Sequence, residues 1–98
     1  MRPEITLRCD TTAAGWACRV RVGDDAAATE HDVALDRETL ARLAPPGTTP
    51  EDLVAASFAF LLEREPRESI MAQFELPIIT RFFGDYETVI AARLAPDG

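Results

Sequence analysis

Apolar residues recur at every second position through the first third of the chain and at every third or fourth position after it. That pattern predicts strands followed by helices. In Glu4–Cys9, Ile5, Leu7 and Cys9 share one face, with Glu4, Thr6 and Arg8 on the other. In Trp16–Val22, Trp16, Cys18, Val20 and Val22 lie opposite Ala17, Arg19 and Arg21. A third strand, Thr29–Leu35, sets His31, Val33 and Leu35 against Glu30, Asp32 and Ala34. Polar residues Asp10–Gly15 form the first hairpin turn, and Gly23-Asp24-Asp25 starts the second. The expected sheet is a three-stranded antiparallel meander whose apolar side needs a cover.

Helices are expected to supply that cover. Asp36 can cap a short helix over Arg37-Glu38-Thr39-Leu40, with Leu35 stapled onto Leu40, before Pro45-Pro46-Gly47 ends it. Thr49, Pro50, Glu51 and Asp52 then open the main helix as cap, first-turn proline and dipole-matched acids. Leu53, Val54, Ser57, Phe58, Phe60, Leu61 and Leu62 give that helix a broad apolar face. Pro66 stops it and opens a helical stretch over Arg67–Phe74, and Pro77 does the same for Ile78–Phe83. Gly84 suits a left-handed helix end. Asp85 can cap a last helix in which Tyr86, Val89, Ile90, Arg93 and Leu94 share a side; a strand over Thr88–Ala92 is the competing reading. The fold class is thus α+β, three N-terminal strands covered on one face by one long and several short helices, in one domain over residues 1–98.

Composition narrows what such a domain can be. With 47% apolar residues the chain of 98 residues can offset the entropy of ordering, so disorder is not expected. A net charge of −7 tells against nucleic acid and against an anionic membrane surface. The longest nearly apolar run, Leu53 to Leu62, is far short of a bilayer span, and Met1-Arg2-Pro3-Glu4 lacks the apolar stretch of a signal peptide. The expected setting is the cytoplasm. All ten cations are arginine and lysine is absent, a coding bias of GC-rich, bacterial-type genes that warns against reading each guanidinium as chosen.

Candidate chemistry is thin. Cys9 and Cys18 face each other if paired residue numbers sum to 27, and Cys9 faces Trp16 if they sum to 25. A disulfide is possible in the first register, but a reducing cytosol and the rarity of bridges between neighbouring strands favour two reduced core thiols. His31, the lone histidine, makes a three-ligand set with them that matches no zinc spacing, so no metal is expected. Ser57 and Ser69 lie in no nucleophile motif, and the isolated glycines make no phosphate loop. Arg8, Arg19 and Arg21 share the outer sheet face with Glu30 and Asp32, so cross-strand ion pairs are expected there. No catalytic residue and no cofactor is expected.

The C-terminal third departs most from an ordinary core. Phe74, Leu76, Ile78, Ile79, Phe82, Phe83 and Tyr86 crowd seven large side chains into thirteen residues. Adjacent pairs such as Ile78-Ile79 and Phe82-Phe83 cannot both point inward from one short helix. These seven residues are therefore the expected interface, with a second copy of the chain as the commonest partner.

The segment Phe58–Glu87 resembles the C-terminal part of a family of short bacterial proteins with no assigned function. The likeness rests on Leu61-Leu62-Glu63-Arg64-Glu65-Pro66, on Glu68-Ser69-Ile70, and on Ile79 through Tyr86-Glu87. It implies a small compact bacterial protein and transfers no catalytic residue. Gly47-Thr48-Thr49-Pro50-Glu51-Asp52-Leu53 is similar to the helix opening of HicB-type antitoxins, although the helical C-terminal third replaces that family's ending. Three readings follow. The first is a non-catalytic interaction protein that self-associates; the second is an antitoxin-like partner that masks another protein. The third is a ligand binder or enzyme with a pocket lined by Trp16, Cys18, His31 and Phe60.

Overall fold

The computed structural model describes residues 4–24 and 26–95. Met1-Arg2-Pro3 and Asp25, used above for the leader and the second turn, lie outside the described residues. Strands β1 (Ile5–Thr11), β2 (Gly15–Val22) and β3 (Thr29–Asp36) form the expected antiparallel meander. Their alternation carries through to burial: Cys18, Val20, Val22, His31, Val33 and Leu35 point into the core, and their neighbours point to solvent. Register follows the sum of 27, so Arg8 lies opposite Arg19 and Cys9 opposite Cys18.

That register decides the cysteines. The Cα atoms of Cys9 and Cys18 are 4.0 Å apart, the close spacing of a non-hydrogen-bonded antiparallel pair. The sulfurs are joined, and the expectation of two reduced thiols is corrected: no free cysteine remains.

The sheet has a fourth strand that the periodicity did not reveal. The expected helix over Arg67–Phe74 shrinks to one 3₁₀ turn, Arg67–Ser69, and the chain then runs as β4 (Gln73–Glu75) parallel to β3. The sheet is therefore mixed, in the order β1-β2-β3-β4. Four helices cover its inner face among the described residues: α1 (Arg37–Leu43), α2 (Pro50–Leu62), α3 (Ile79–Phe82) and α4 (Tyr86–Leu94). The longest has 13 residues, so the cover is shared between short helices and not dominated by a long one.

Caps behave as their chemistry requires. Asp36 accepts from the Thr39 amide at 2.8 Å and Thr49 from the Asp52 amide at 3.0 Å, so both helices begin where the sequence places them. The Thr39 hydroxyl and amide hold the Asp36 carboxyl below its usual range. The C-terminal segment forms helix and not strand, but Asp85 makes no cap and its carboxylate takes Arg64 at 2.7 Å. Gly84 is not left-handed either; that conformation belongs to Gly23 and Gly47, at φ 98° and 93°.

Candidate functional site

Four of the seven expected interface residues are core. Leu76 and Tyr86 have no exposed surface, Ile79 keeps 2% and Phe74 8%. Short elements achieve this by turning separate faces inward: β4 aims Phe74 into the core, the 3₁₀ turn Leu76–Ile78 buries Leu76, and α3 buries Ile79. The adjacent pairs split as helix geometry demands. Ile79 is buried beside a half-buried Ile78, and Phe83 meets Phe60 edge-on at 5.8 Å while Phe82 stays 63% exposed.

Tyr86 shows how thoroughly its part of the patch is internal. Ser57 donates its hydroxyl to the Leu53 carbonyl at 2.8 Å, which leaves its oxygen to accept from Tyr86 at 2.6 Å. Burial pushes the Tyr86 phenol up from 10.0 to about 12. Above pH 10 the folded state therefore holds a proton that the unfolded chain releases. The stability this represents is complete below pH 10 and is lost as pH rises through about 12. By linkage, unfolding at pH 11 is expected to be easier by about 1.4 kcal/mol than at neutral pH. With one tyrosine, no lysine and both cysteines bridged, little else titrates in that window. Denaturant melts across pH 9 to 12 check it, and a Tyr86→Phe protein should show no such slope.

Between α2, β4 and α3 lies an apolar groove of about 190 Å³. Leu61, Ile70, Phe74 and Ile79 form its floor, and Ile78, Phe83 and the two exposed side chains Met71 and Phe82 form its walls. Glu65 and Ser69 stand at its edge as the polar groups. Pro66 precedes the 3₁₀ turn Arg67–Ser69 and Pro77 lies in the first turn of Leu76–Ile78, so the elements that border this space beyond α2 are short. The Arg64 guanidinium sits 3.7 Å from the centre of the Phe60 ring and 6.0 Å from that of Phe83, and pairs with Asp85.

His31, the lone histidine, holds the other side. His31 is buried, its Nδ1 at 2.7 Å from the Met71 carbonyl and its Nε2 at 2.9 Å from the Thr29 hydroxyl. A carbonyl only accepts, so Nδ1 carries the proton and Nε2 accepts from Thr29. With the Asp32 amide bonded to the Ala72 carbonyl at 2.7 Å, this bond docks the segment bearing Met71 onto β3. Both ring nitrogens are thereby committed, and neither acts as a base on Ser57 or Ser69. Among the described residues no cluster of three histidine, cysteine or acidic side chains is arranged to hold a metal.

The other candidate sites resolve simply. Of the four residues expected to line a pocket between sheet and helices, Trp16, His31 and Phe60 line neither the groove nor the trough on the outer face, and Cys18, 2% exposed, borders only that trough. On the outer face, Arg19 meets Asp32 at 2.7 Å and Glu30 at 2.8 Å, and Arg21 meets Glu30 at 3.4 Å, as expected of cross-strand pairs. Arg8, Asp10, Gln73 and Glu75 rim a wide open trough there over Ala17 and Ala34, and its charges largely answer one another. No described helix is long and apolar enough to cross a membrane. Comparison with protein-family models, with curated proteins and with solved structures gave no match.

Proposed function

We propose that this chain is a non-catalytic protein-interaction module that self-associates and presents the groove beside Phe82 to a partner protein. One observation carries the reading: the two large apolar side chains exposed among the described residues, Met71 and Phe82, wall the same apolar groove. A groove of this size takes one apolar anchor side chain, the usual centre of a small interface. Glu65 at its edge and the net charge of −7 favour a basic residue beside that anchor. The exposed area left around Phe82 is too small to hold a stable dimer by itself, since such interfaces bury about 800 Å² per partner. Self-association therefore calls for a second surface. The likeness of residues 58–87 to a family of short bacterial proteins belongs to this proposal and adds no site residue.

Selection from a displayed peptide library tests the groove. Enriched peptides are expected to share an aromatic or aliphatic anchor with an arginine or lysine nearby, and Phe82→Glu is expected to weaken them at least tenfold while the protein stays folded. Failure to enrich any such motif, or binding indifferent to Phe82→Glu, would sink the reading. Loss of the fold in Phe82→Glu would instead return Phe82 to the core.

A further inference from the structure

Strand β1 lies at the edge of the sheet. The Gly23 amide bonds the Glu4 carbonyl at 2.6 Å and the Thr12 amide bonds the Gly15 carbonyl at 2.8 Å, which places even-numbered residues in the hydrogen-bonded pairs with β2. Antiparallel ladders alternate, so Ile5, Leu7, Cys9 and Thr11 turn their amides and carbonyls toward the open edge. Natural sheets blunt such edges with proline, bulges or charged side chains. Between Ile5 and Thr11 there is no proline or glycine, the pairing with β2 runs through seven residues unbroken, and the two charges present, Arg8 and Asp10, are of opposite sign. The opposite edge is protected by brevity, because β4 has only three residues.

Charge selects what fits this edge. Along the sequence, alternate residues read Arg2, Glu4, Thr6, Arg8 and Asp10, antisymmetric in sign about Thr6. A second copy laid antiparallel about a two-fold at Thr6 sets each Glu4 opposite the other copy's Arg8. On the inner face it sets each half-buried Ile5 opposite a half-buried Leu7. Moving the two-fold to Leu7 opposes Glu4 with Asp10, and moving it to Arg8 opposes that arginine with itself. Like charges directly opposite are destabilising, so these registers are disfavoured. Arg8 is available to turn, since its side chain is 83% exposed and touches Asp10 only at 3.9 Å.

We propose that β1 is the self-association edge: two copies pair antiparallel through residues 4–8 about a two-fold at Thr6, joining their sheets into one of eight strands. This rests on the self-association half of the proposed function. It leaves both Phe82 grooves, which lie toward the β4 side, facing outward for partners.

Light scattering behind a sizing column, over a wide concentration range, tests it with Glu4→Arg, Arg8→Glu and their equimolar mixture. The unaltered protein is expected to approach twice 10.7 kDa at high concentration. Each single variant should need at least ten times more protein to do so, because like charges now face each other. Their mixture should recover dimerisation, since every opposed pair is again of opposite sign, and Phe82→Glu should dimerise as the unaltered protein does. A dimer indifferent to the single variants, or a mixture that recovers nothing, overturns the β1 edge and leaves self-association standing. A monomer at every concentration overturns both. Circular dichroism on each variant establishes that the compared proteins are folded.

Discussion

Replacing Phe58 with alanine is expected to cost about 3–5 kcal/mol of unfolding free energy, the range for deleting a fully buried phenylalanine ring. Phe58 has no exposed surface and joins three elements. From α2 its ring meets His31 on β3 at 5.3 Å and Phe74 on β4 at 6.1 Å. Few neighbours can collapse into the space, because β2 and β3 are tied by an eight-residue ladder and α2 by its caps. Domains of this size are stable by about 5–15 kcal/mol, so such a loss brings the protein near its unfolding threshold. Urea melts measure the change, and Phe58→Leu, which keeps most of the volume, should cost less than about half as much. Hydrogen exchange adds a local readout. The amides of Gln73–Glu75 should lose protection first, since β4 is held by only three residue pairs and the contacts of Phe74 and His31. A loss below about 1 kcal/mol would mean that the ring contributes little to the packing between helix and sheet.

Reducing the Cys9–Cys18 bridge is the second large effect. The bridge closes a loop with a sequence separation of 9, and chain entropy assigns a loop of that length about 2.6 kcal/mol of stabilisation, acting chiefly on the unfolded state. The folded hairpin is expected to survive reduction, because the β1–β2 ladder and the α2 face beneath it remain. Urea melts with and without a dithiol, and of the Cys9→Ala/Cys18→Ala protein, should agree on the magnitude. Agreement between dithiol and double variant, with neither less stable than the bridged protein, would show that the ladder alone already restrains the hairpin. Thiol trapping on the protein taken from its own cells adds a fact about compartment. A reduced pair fits the cytoplasmic setting expected from the sequence, whereas a bridged pair points to an oxidising one.

How much of this was legible beforehand depends on where each residue finds its partners. The three-strand meander and the starts of α1 and α2 are local phenomena. Alternation at Trp16–Val22 and the capping oxygens of Asp36 and Thr49 act within a few residues, so the sequence states them directly. The pairing of Arg19 with Asp32 was legible for the same reason, since both candidate registers brought the charges within reach. The fourth strand was not. Gln73-Phe74-Glu75 alternates over three residues only, too short for a period, and it is a strand because β3 presents a free edge there and His31 holds Met71 beside it.

The candidate site divides the same way. The sequence by itself determined that Phe82 and Phe83, and likewise Ile78 and Ile79, could not all enter one core, because adjacent helical side chains diverge by about 100°. Only the tertiary structure decided which of them went inside. Phe60, Leu61 and Tyr86 made room for Ile79 and Phe83, and with that volume filled, Phe82 was left outside. The cysteines differ. Two registers satisfied the apolar pattern equally, and the one observed, which closes the Cys9–Cys18 bridge, goes with the tight turn in which the Thr12 amide bonds the Gly15 carbonyl. Alternation alone does not state that register, because both registers share it.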